Sequence, residues 1–423
     1  MLSEQRLRVL IVGLNYAPEK VGIGVYTSGL AEALVARGHE VSVVAGKPYY
    51  PSWTVDKRFR AGFMLRSAEN GVDVTRVAHY VPTRPSGPRR VAHHISFALA
   101  CMLPTLFRAR ALRPVVVVTI APSLIAAPLA HLAAAVVGAK SWLHIQDFEV
   151  EAAAATGLMG GGALTASTGR AFERFVLRLF DHVSTISPAM CRRLLDKGVE
   201  HDRISEFRNW ADIDASVARA SSALREEWRI TTRYVALYSG NIANKQGIEL
   251  VVAAARRLQR RDDVTFVICG EGPNRAKLEA AAADLANIRF YDLQPKDRLA
   301  DLLSLATVHL LPQLACAADL VLPSKLTNML ASGRAVVATA HPGTGLAAEV
   351  DGCGLVVPPE DDRAFADAIE RLLDDESARA VYADAGRQRA EQRWRREAII
   401  DEFEYELASL AYRSAETHEV AAA

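Results

Sequence analysis

The first half of the chain alternates short apolar runs with segments of helical period. Five apolar runs are predicted to be buried strands: 7–13, 40–45, 115–120, 141–145 and 182–186. After the first run, Leu30, Ala31 and Leu34 recur at helical spacing, which predicts a helix over 25–37 that ends before Gly38. Strands that alternate with helices indicate a parallel sheet covered on both faces.

A second series of the same kind starts at residue 234. Six further strands are predicted, at 234–239, 264–269, 288–291, 308–311, 336–339 and 354–357. Helices are predicted to begin between and after them, at Ile248, Arg275, Leu299, Lys325 and Arg363. The two series join near 209–222, a polar stretch that is poor in large apolar side chains.

We therefore predict an α/β protein with two Rossmann-like, doubly wound parallel-sheet domains. The first covers 1–208 and the second 209–393, and a last helix at 394–412 is expected to pack back on the first. The carboxyl ends of the two sets of strands are expected to face a cleft, where sheets of this kind bind ligands.

Charge and cysteine content exclude several classes of protein. The 423 residues include 50 Lys and Arg and 49 Asp and Glu, so the net charge of +1 gives no global field that would attract nucleic acid. The five cysteines form no C-x-x-C pair, which argues against a disulfide framework and a zinc site. A reducing cytoplasm is the expected location.

One uncharged segment, 114–139, is long enough to span a bilayer. Pro122, Pro128 and the change from β-branched residues to alanines favour a strand followed by a helix instead.

A second apolar segment, 95–107, is flanked by basic residues within 84–94 and at Arg108 and Arg110. Two interpretations stay open for it. It is either a core helix with one buried face, or a peripheral contact through 84–110 with the inner face of the plasma membrane.

A loop with two glycines follows the first predicted strand. Gly22 and Gly24 lie where the loop meets a helix start, and free amides at a helix start favour an anion. A dinucleotide fingerprint would need its glycines directly after the strand, so a nicotinamide site is disfavoured. A plain turn is the alternative.

Three loops of the second half place glycines and lysines at the carboxyl ends of strands. Gly240 and Lys245 follow one strand, Gly270-Glu271-Gly272 follows the next, and Ser324-Lys325 begins a later helix, with Ser324 as its predicted cap. Each lysine alone is most often a solvated surface charge. Together with the glycine turns they predict a diphosphate site.

In combination these motifs resemble glycosyltransferase family 4, whose members have the GT-B fold. The resemblance runs from residue 7 to about 360. It is carried by Gly22-Ile-Gly24, Arg37-Gly-His39-Glu-Val, Ser187-Pro-Ala-Met, Asn209-Trp-Ala-Asp212, Gly240…Lys245-Gln-Gly247, Gly270-Glu-Gly-Pro273, Leu311-Pro-Gln313, Pro323-Ser-Lys325-Leu and Glu349…Gly352…Gly354. Ser-Gly-Asn241, Leu-Pro-Gln313 and Pro-Ser-Lys-Leu-Thr-Asn328 resemble the colanic-acid and exopolysaccharide fucosyltransferase branch.

The resemblance implies a retaining transfer from a GDP- or UDP-linked sugar, held mainly by the second domain, to a lipid-linked or oligosaccharide acceptor. Lys245 would neutralise the diphosphate leaving group, with support from Lys325 and the helix start at Ser324. Gly270, Glu271 and Gly272 would lie beneath the nucleoside, and Gly22 and Gly24 would approach from across the cleft. No metal and no cofactor are implied.

Three departures from the family pattern affect the expected roles. Asn241 stands in the region where an arginine is usual, and Asn328 replaces the second glutamate of a paired signature. Asn328 can still hydrogen-bond a ribose hydroxyl. Gln146 precedes Asp147 where a histidine is usual, and Asp147 is the candidate to orient or deprotonate the acceptor.

Two rival functions remain on the same scaffold. One is a nucleotide-sugar epimerase or hydrolase that needs no acceptor. The other is a non-catalytic subunit that binds a nucleotide sugar within a polysaccharide assembly complex. The absence of both paired glutamates, the first of which falls near Leu320, keeps this alternative open.

Overall fold

The computed structural model describes residues 6–19, 22–151, 162–211, 223–242, 246–315 and 323–421. The chain divides into two compact units. Unit 1 comprises residues 1–208 and 397–423, and unit 2 comprises residues 209–396.

Unit 1 is built on an eight-stranded sheet in the order β3-β4-β2-β1-β5-β6-β7-β8. Its strands are β1 (Arg8–Gly13), β2 (Glu40–Gly46), β3 (Met64–Glu69), β4 (Val72–Val77), β5 (Val116–Ala121), β6 (Lys140–Ile145), β7 (His182–Thr185) and β8 (Ile204–Glu206). Its first helices are α1 (Ile23–Ala36), α2 (Gly87–Leu112), α3 (Ala127–Val137), α4 (Gly162–Leu179) and α5 (Pro188–Asp196).

The predicted α/β fold is confirmed, but three strands of this sheet were not predicted and one of them is antiparallel. Strand β3 pairs with β4 in a hairpin, whereas the other pairs are parallel. Asn70 and Gly71 form its turn with φ angles of 48° and 82°, the left-handed geometry of a tight hairpin. Strand β3 alternates exposed and half-buried residues, so it lacks the apolar run of a central strand.

Unit 2 contains a six-stranded, wholly parallel sheet in the order β11-β10-β9-β12-β13-β14. Its strands are β9 (Tyr234–Ser239), β10 (Val264–Cys269), β11 (Ile288–Tyr291), β12 (Val308–Leu311), β13 (Ala335–Thr339) and β14 (Gly354–Val357). Its helices are α6 (Ala223–Glu227), α7 (Glu249–Arg257), α8 (Arg275–Ala281), α9 (Leu299–Ser304), α10 (Lys325–Ala331), α11 (Gly345–Val350), α12 (Asp362–Asp374) and α13 (Glu376–Arg393).

The last helix, α14 (Arg396–Ala421), packs on unit 1. Phe403 is buried against Trp142 and Phe207, at ring-centroid distances of 4.7 Å and 4.4 Å. The carboxylate of Glu404 lies 2.9 Å from His39 Nε2 through Oε1 and 3.0 Å from Arg37 Nε through Oε2. Burial of one apolar face and paired charges beside it fix the helix on this unit.

The apolar segment 114–139 forms strand β5 and helix α3, which confirms the strand-and-helix interpretation. Among the described residues, α2 is the helix that is long and apolar enough to span a membrane. Its inward face, with Phe97, Cys101 and Ala109, belongs to the core of unit 1.

Candidate functional site

The loops that follow β9 and β10 are joined by backbone hydrogen bonds at the carboxyl edge of the unit 2 sheet. The Gly240 amide donates to the Cys269 carbonyl at 2.9 Å, and the Ile242 amide donates to the Glu271 carbonyl at 2.7 Å. A Cβ atom on Gly270 would lie 1.8 Å from the Gly240 carbonyl oxygen. Only glycine allows this approach, so Gly270 is required by the contact between the two loops.

Gly272 is required for the same reason. A Cβ atom there would lie 2.2 Å from the carbonyl oxygen of Ile242. Arg275, at the start of α8, holds this turn from the other side, with Nη1 3.1 Å from the Gly270 carbonyl oxygen and 2.6 Å from Asp292 Oδ1. The sequence predicted that these glycines contact a ligand. In the structure they also allow the loops after β9 and β10 to pack against each other, and we call this packed pair of loops the floor of the site.

A cation lies beside this floor. Lys325 Nζ donates to Tyr238 Oη at 2.9 Å and lies 4.1 Å from the centre of that ring. Tyr238 Oη in turn donates to the Asn241 carbonyl at 2.7 Å. Burial raises the pKa of Tyr238 well above its usual range, so the phenol stays neutral and its proton stays on the loop.

Gly240 leaves space next to the ammonium group. A Cβ atom on Gly240 would lie 3.7 Å from Lys325 Nζ, and the φ angle of Gly240 is 131°. The arrangement brings together a positive charge and a tight backbone turn at the end of one strand. It can attract and partly neutralise an anion.

The remaining predicted residues of unit 2 differ in their placement. Ser324 precedes α10, but its side chain forms no capping hydrogen bond, so its predicted capping role is wrong. Its backbone is already helical, whereas a capping residue normally has an extended backbone. Asn328 lies one turn after Lys325 and is half-buried, and Glu271 is exposed. Lys245 lies outside the described residues.

In unit 1 the loop between β1 and α1 is fixed by Glu19, which the sequence did not single out. Its Oε1 accepts the amides of Tyr49 and Tyr50, both at 3.0 Å, and its Oε2 accepts Asn15 Nδ2 at 2.9 Å. Burial raises the pKa of Glu19 above its usual range, and the three hydrogen bonds oppose that rise. The carboxyl group therefore ties this loop to the one after β2.

The two glycines of the same loop serve different needs. A Cβ atom on Gly24 would lie 2.9 Å from Glu19 Oε2, so Gly24 makes room for the buried carboxyl group. Gly22 has a φ angle of 74° and precedes α1, whose first turn contains no side-chain cap and no acidic residue. Arg76 Nη2 donates to the Ala17 carbonyl at 2.6 Å and so holds the part of this loop that precedes Glu19. A helix start without a capping side chain or an acidic residue favours an anion.

The carboxyl groups after β6 have separate partners. Glu149 accepts the amides of Ser123 and Leu124, the latter at 3.0 Å, and desolvation raises its pKa to about 7. Glu151 pairs with Arg193 and Lys197, both at 2.5 Å. Asp147 is half-buried at the strand end.

His144 faces the interior of unit 1. Its Nδ1 lies 2.9 Å from Ser184 Oγ, and its Nε2 lies 3.0 Å from Gln146 Nε2. Since an amide nitrogen can only donate, His144 Nε2 accepts and Nδ1 carries the proton. Burial lowers the pKa of His144 to about 3, so this histidine is a neutral structural residue.

A cavity of about 470 Å³ opens in unit 1 beside Glu19. Its lining combines aromatic, hydroxyl and charged side chains: Tyr49, Tyr50, Ser52, Thr54, Asp56, Lys57, Arg58 and Arg60, with Pro18, Glu19, Pro48 and Val55. Lys47 fixes the far side of this loop, since its Nζ donates to the carbonyls of Ala61 at 2.8 Å and Gly62 at 2.6 Å. The lining thus offers aromatic rings, hydroxyls and charges of both signs, the kinds of group that orient a polar ligand in a pocket.

Within the part of the chain that the structure describes, no three His, Cys, Asp or Glu side chains come together to hold a metal ion.

Two α/β units with glycine turns and a cation at the carboxyl ends of parallel strands are typical of GT-B glycosyltransferases. The chain belongs to the glycosyltransferases: the family model "Glycosyl transferases group 1" matches residues 221–389, and "Glycosyl transferase 4-like domain" matches residues 21–210. The protein is therefore a transferase enzyme, as the sequence predicted.

The curated relatives agree with this class. The colanic acid biosynthesis glycosyl transferase WcaI of Escherichia coli K12 is 40% identical over 382 residues, which cover 87% of this chain and 92% of that protein. The α-D-kanosaminyltransferase of Streptomyces kanamyceticus is 33% identical over 177 residues, or 41% of this chain and 44% of that protein.

Solved structures confirm the fold. Sucrose-phosphate synthase from Thermosynechococcus elongatus superposes with a TM-score of 0.70 at 18% identity, covering 97% of this chain and 100% of that one. HepE of Anabaena, in complex with UDP, gives a TM-score of 0.70 at 13% identity, covering 95% of this chain and 100% of that one.

Proposed function

We propose that the protein is a retaining glycosyltransferase that moves a sugar from a nucleoside-diphosphate donor to a polysaccharide-precursor acceptor. In this reaction the bond between the anomeric carbon and the diphosphate oxygen breaks, a bond to an acceptor hydroxyl oxygen forms, and the acceptor proton leaves. Negative charge develops on the departing diphosphate, and the enzyme must stabilise it.

The observation that carries this proposal is the position of Lys325 beside the turn at Gly240. Tyr238 holds the ammonium group in place through a hydrogen bond of 2.9 Å, so little reorganisation is needed when the leaving group becomes charged. Lys245, on the same loop in sequence, is proposed as the second cation. Asn241, Asn328, Glu271, Gly270 and Gly272 are proposed to contact the nucleoside and ribose of the donor, and Gly22 and Gly24 the donor phosphates.

Either GDP or UDP is proposed as the nucleotide, with fucose as the first sugar to test. HepE has been solved with UDP and with UDP-glucose, and WcaI is named for colanic acid biosynthesis. These names support a nucleotide-sugar donor and an exopolysaccharide precursor, either lipid-linked or an oligosaccharide, as the acceptor of this chain.

The cavity of unit 1 is proposed to bind the acceptor. Tyr49 and Tyr50 offer ring surfaces to a sugar, and the hydroxyls of Ser52 and Thr54 offer hydrogen bonds. Asp147 is proposed as the carboxylate that orients or deprotonates the acceptor hydroxyl. Glu149 and Glu151 are less suited to this role because backbone amides and two cations engage them.

The cytoplasm is the proposed place of the reaction. The four cysteines that the structure describes are free thiols, and three of them are buried.

A transfer assay with a panel of GDP- and UDP-linked sugars tests the proposal. Lys245→Ala and Lys325→Ala are each expected to lower transfer at least tenfold, about 1.4 kcal/mol of transition-state stabilisation, with the fold intact. Lys277→Ala is the matched control, because Lys277 is an exposed lysine of the same unit. Wild-type turnover in both Lys245→Ala and Lys325→Ala would refute the proposal. Release of free sugar or epimer without an acceptor would instead favour the epimerase or hydrolase.

A further inference from the structure

The turn that follows strand β5 has a strained backbone. Ser123 has φ and ψ angles of 106° and 52°, in the left-handed region that residues other than glycine rarely adopt. Such a conformation persists only where the surrounding structure enforces it. The Ser123 hydroxyl does not enforce it, because this buried oxygen has no hydrogen-bond partner within the described residues.

The carboxyl group of Glu149, after strand β6, holds this turn instead. Its Oε1 accepts the amide of Ser123 and, at 3.0 Å, the amide of Leu124. Strands β5 and β6 are parallel neighbours, with Ala121 paired to Ile145 at their carboxyl ends. Glu149 therefore connects the two loops that leave these neighbouring strand ends.

Asp147 lies between two fixed points of the chain. Strand β6 ends at Ile145, two residues before it, and Glu149 is anchored on the Ser123 turn two residues after it. The backbone of Asp147 therefore has little freedom to move. Since Asp147 is the proposed contact of the acceptor hydroxyl, Glu149 determines where that carboxylate is held.

The cations near Glu149 are engaged by other carboxylates. Lys197 Nζ lies 2.5 Å from both Glu151 and Glu173, and Arg193 Nη1 lies 2.5 Å from Glu151. Glu149 itself forms no ion pair in the part of the chain that the structure describes, and the turn at 121–124 is uncharged. The two amides thus stabilise its charged form, while burial disfavours that form and raises the pKa of Glu149 to about 7.

We propose that Glu149 is a positioning residue for Asp147, and that it acts by holding the loops after β5 and β6 together in its charged form. Amide hydrogen bonds to a charged carboxylate are stronger than those to a neutral acid. Protonation of Glu149 therefore relieves the cost of the buried charge but weakens both amide bonds. The effect on catalysis rests on the proposed function, whereas the connection between the loops does not.

The pH profile of transfer tests the positioning role. We expect kcat/KM for the acceptor to rise about fivefold to tenfold from pH 6 to pH 8 in the wild type, as Glu149 becomes charged. Glu149→Gln keeps an oxygen that accepts both amides but does not titrate. Its kcat/KM should change less than about twofold over this range and stay within about threefold of the wild-type value at pH 8.

Glu200→Gln is the matched control, because Glu200 is an exposed glutamate of unit 1, and it should keep the wild-type profile. Circular dichroism at both pH values verifies that each variant is folded. A wild-type profile in Glu149→Gln, or an equal flattening in Glu200→Gln, would overturn the inference.

Hydrogen exchange separates this inference from the proposed transferase function. Mass spectrometry of peptides from the full chain follows the Ser123 and Leu124 amides, with rates corrected for the intrinsic effect of pH. We expect their protection to fall at least threefold from pH 8 to pH 6 in the wild type and to stay constant in Glu149→Gln. This pattern without any transfer would support the connection between the loops and contradict the proposed function. Protection that is independent of pH in the wild type would overturn the inference, whatever the transfer assay shows.

Discussion

The ammonium group of Lys325 and the phenol oxygen of Tyr238 are 2.9 Å apart, at the carboxyl end of strand β9. The lysine lies at the start of α10, and the tyrosine is buried in the central strand of the unit 2 sheet. The buried phenol therefore holds the ammonium group of Lys325 in a fixed position. We infer that Tyr238 is a positioning residue for the proposed donor site.

Tyr238→Phe should weaken the donor site without unfolding unit 2. The substitution keeps the ring and removes the oxygen that accepts from Lys325 and donates to Asn241. We expect kcat/KM for the donor to fall about fivefold to thirtyfold, in line with one or two lost hydrogen bonds of about 1 kcal/mol each. Steady-state kinetics with varied donor would show this, and an unchanged kcat/KM would contradict the positioning role.

Gly270→Ala should destabilise unit 2 strongly. The new methyl group would lie 1.8 Å from the Gly240 carbonyl oxygen, so one of the two loops would have to move. Gly343→Ala is the control, because Gly343 has a φ angle of 86° but open space around its Cβ position. Thermal unfolding should show a loss of about 1 kcal/mol for the control and a larger loss for Gly270→Ala. Equal losses would mean that the loop contact is not tight.

The strands of unit 2 were predictable because each is a short apolar run bounded by turn residues. Five of the six have the predicted bounds, and β13 begins one residue earlier, at Ala335. Strand β3 of unit 1 escaped prediction because an edge strand has no apolar run, although Asn70-Gly71 is a hairpin signal. An uninterrupted apolar run, rather than burial alone, decided which strands the pattern could predict, since β4 is mostly buried but Asp73, Thr75 and Arg76 interrupt its run.

The candidate site was predictable only in part. Glycines and lysines after strands stand out in the sequence, but Tyr238 and Glu19 look like ordinary core and loop residues. Their roles depend on partners far along the chain, Lys325 for one and the amides of Tyr49 and Tyr50 for the other. A single sequence does not encode such pairings in any local pattern.

Glu19→Ala should loosen the loop that carries Gly22 and Gly24. The variant loses three hydrogen bonds and leaves the Tyr49 and Tyr50 amides without their acceptor. We expect a loss of stability of about 2–3 kcal/mol, the cost of unsatisfied buried donors, together with lower transfer activity. Chemical denaturation and the transfer assay measure these effects. Glu402→Ala, at an exposed site on α14, should change neither, and a stable and active Glu19→Ala protein would exclude the proposed role.

Acid should destabilise the protein through buried histidines. Burial lowers the pKa of His144 and of His309 to about 3, and that of His79, His93 and His94 to between about 3 and about 4. In the unfolded chain these histidines take up protons near pH 6.5, whereas in the folded protein they stay neutral. Their full contribution to the free energy of unfolding is therefore present above pH 6.5, and it falls as the pH drops below that value. Each histidine that stays neutral contributes up to about 1.4 kcal/mol per pH unit.

Glu149 acts in the opposite direction. Its pKa is raised to about 7 in the folded state, so the folded protein binds its proton first and gains stability as the pH falls from 7 towards 4.5. Burial also raises the pKa values of Glu19 and Glu173, which act in the same direction as Glu149. The five histidines outnumber these three glutamates, and the melting temperature should fall between pH 7 and pH 5. His309→Gln should flatten this dependence, and an equal slope in the variant and the wild type would contradict the linkage.

The central claim is that unit 2 binds a nucleoside diphosphate through Lys325. Isothermal titration of the wild type, Lys325→Ala and Lys277→Ala with UDP and GDP tests it most directly. We expect one of the two nucleotides to bind the wild type and Lys277→Ala with equal Kd, and Lys325→Ala to bind it at least tenfold more weakly, about 1.4 kcal/mol. Equal Kd values in all three proteins, or no binding of either nucleotide to the wild type, would contradict it.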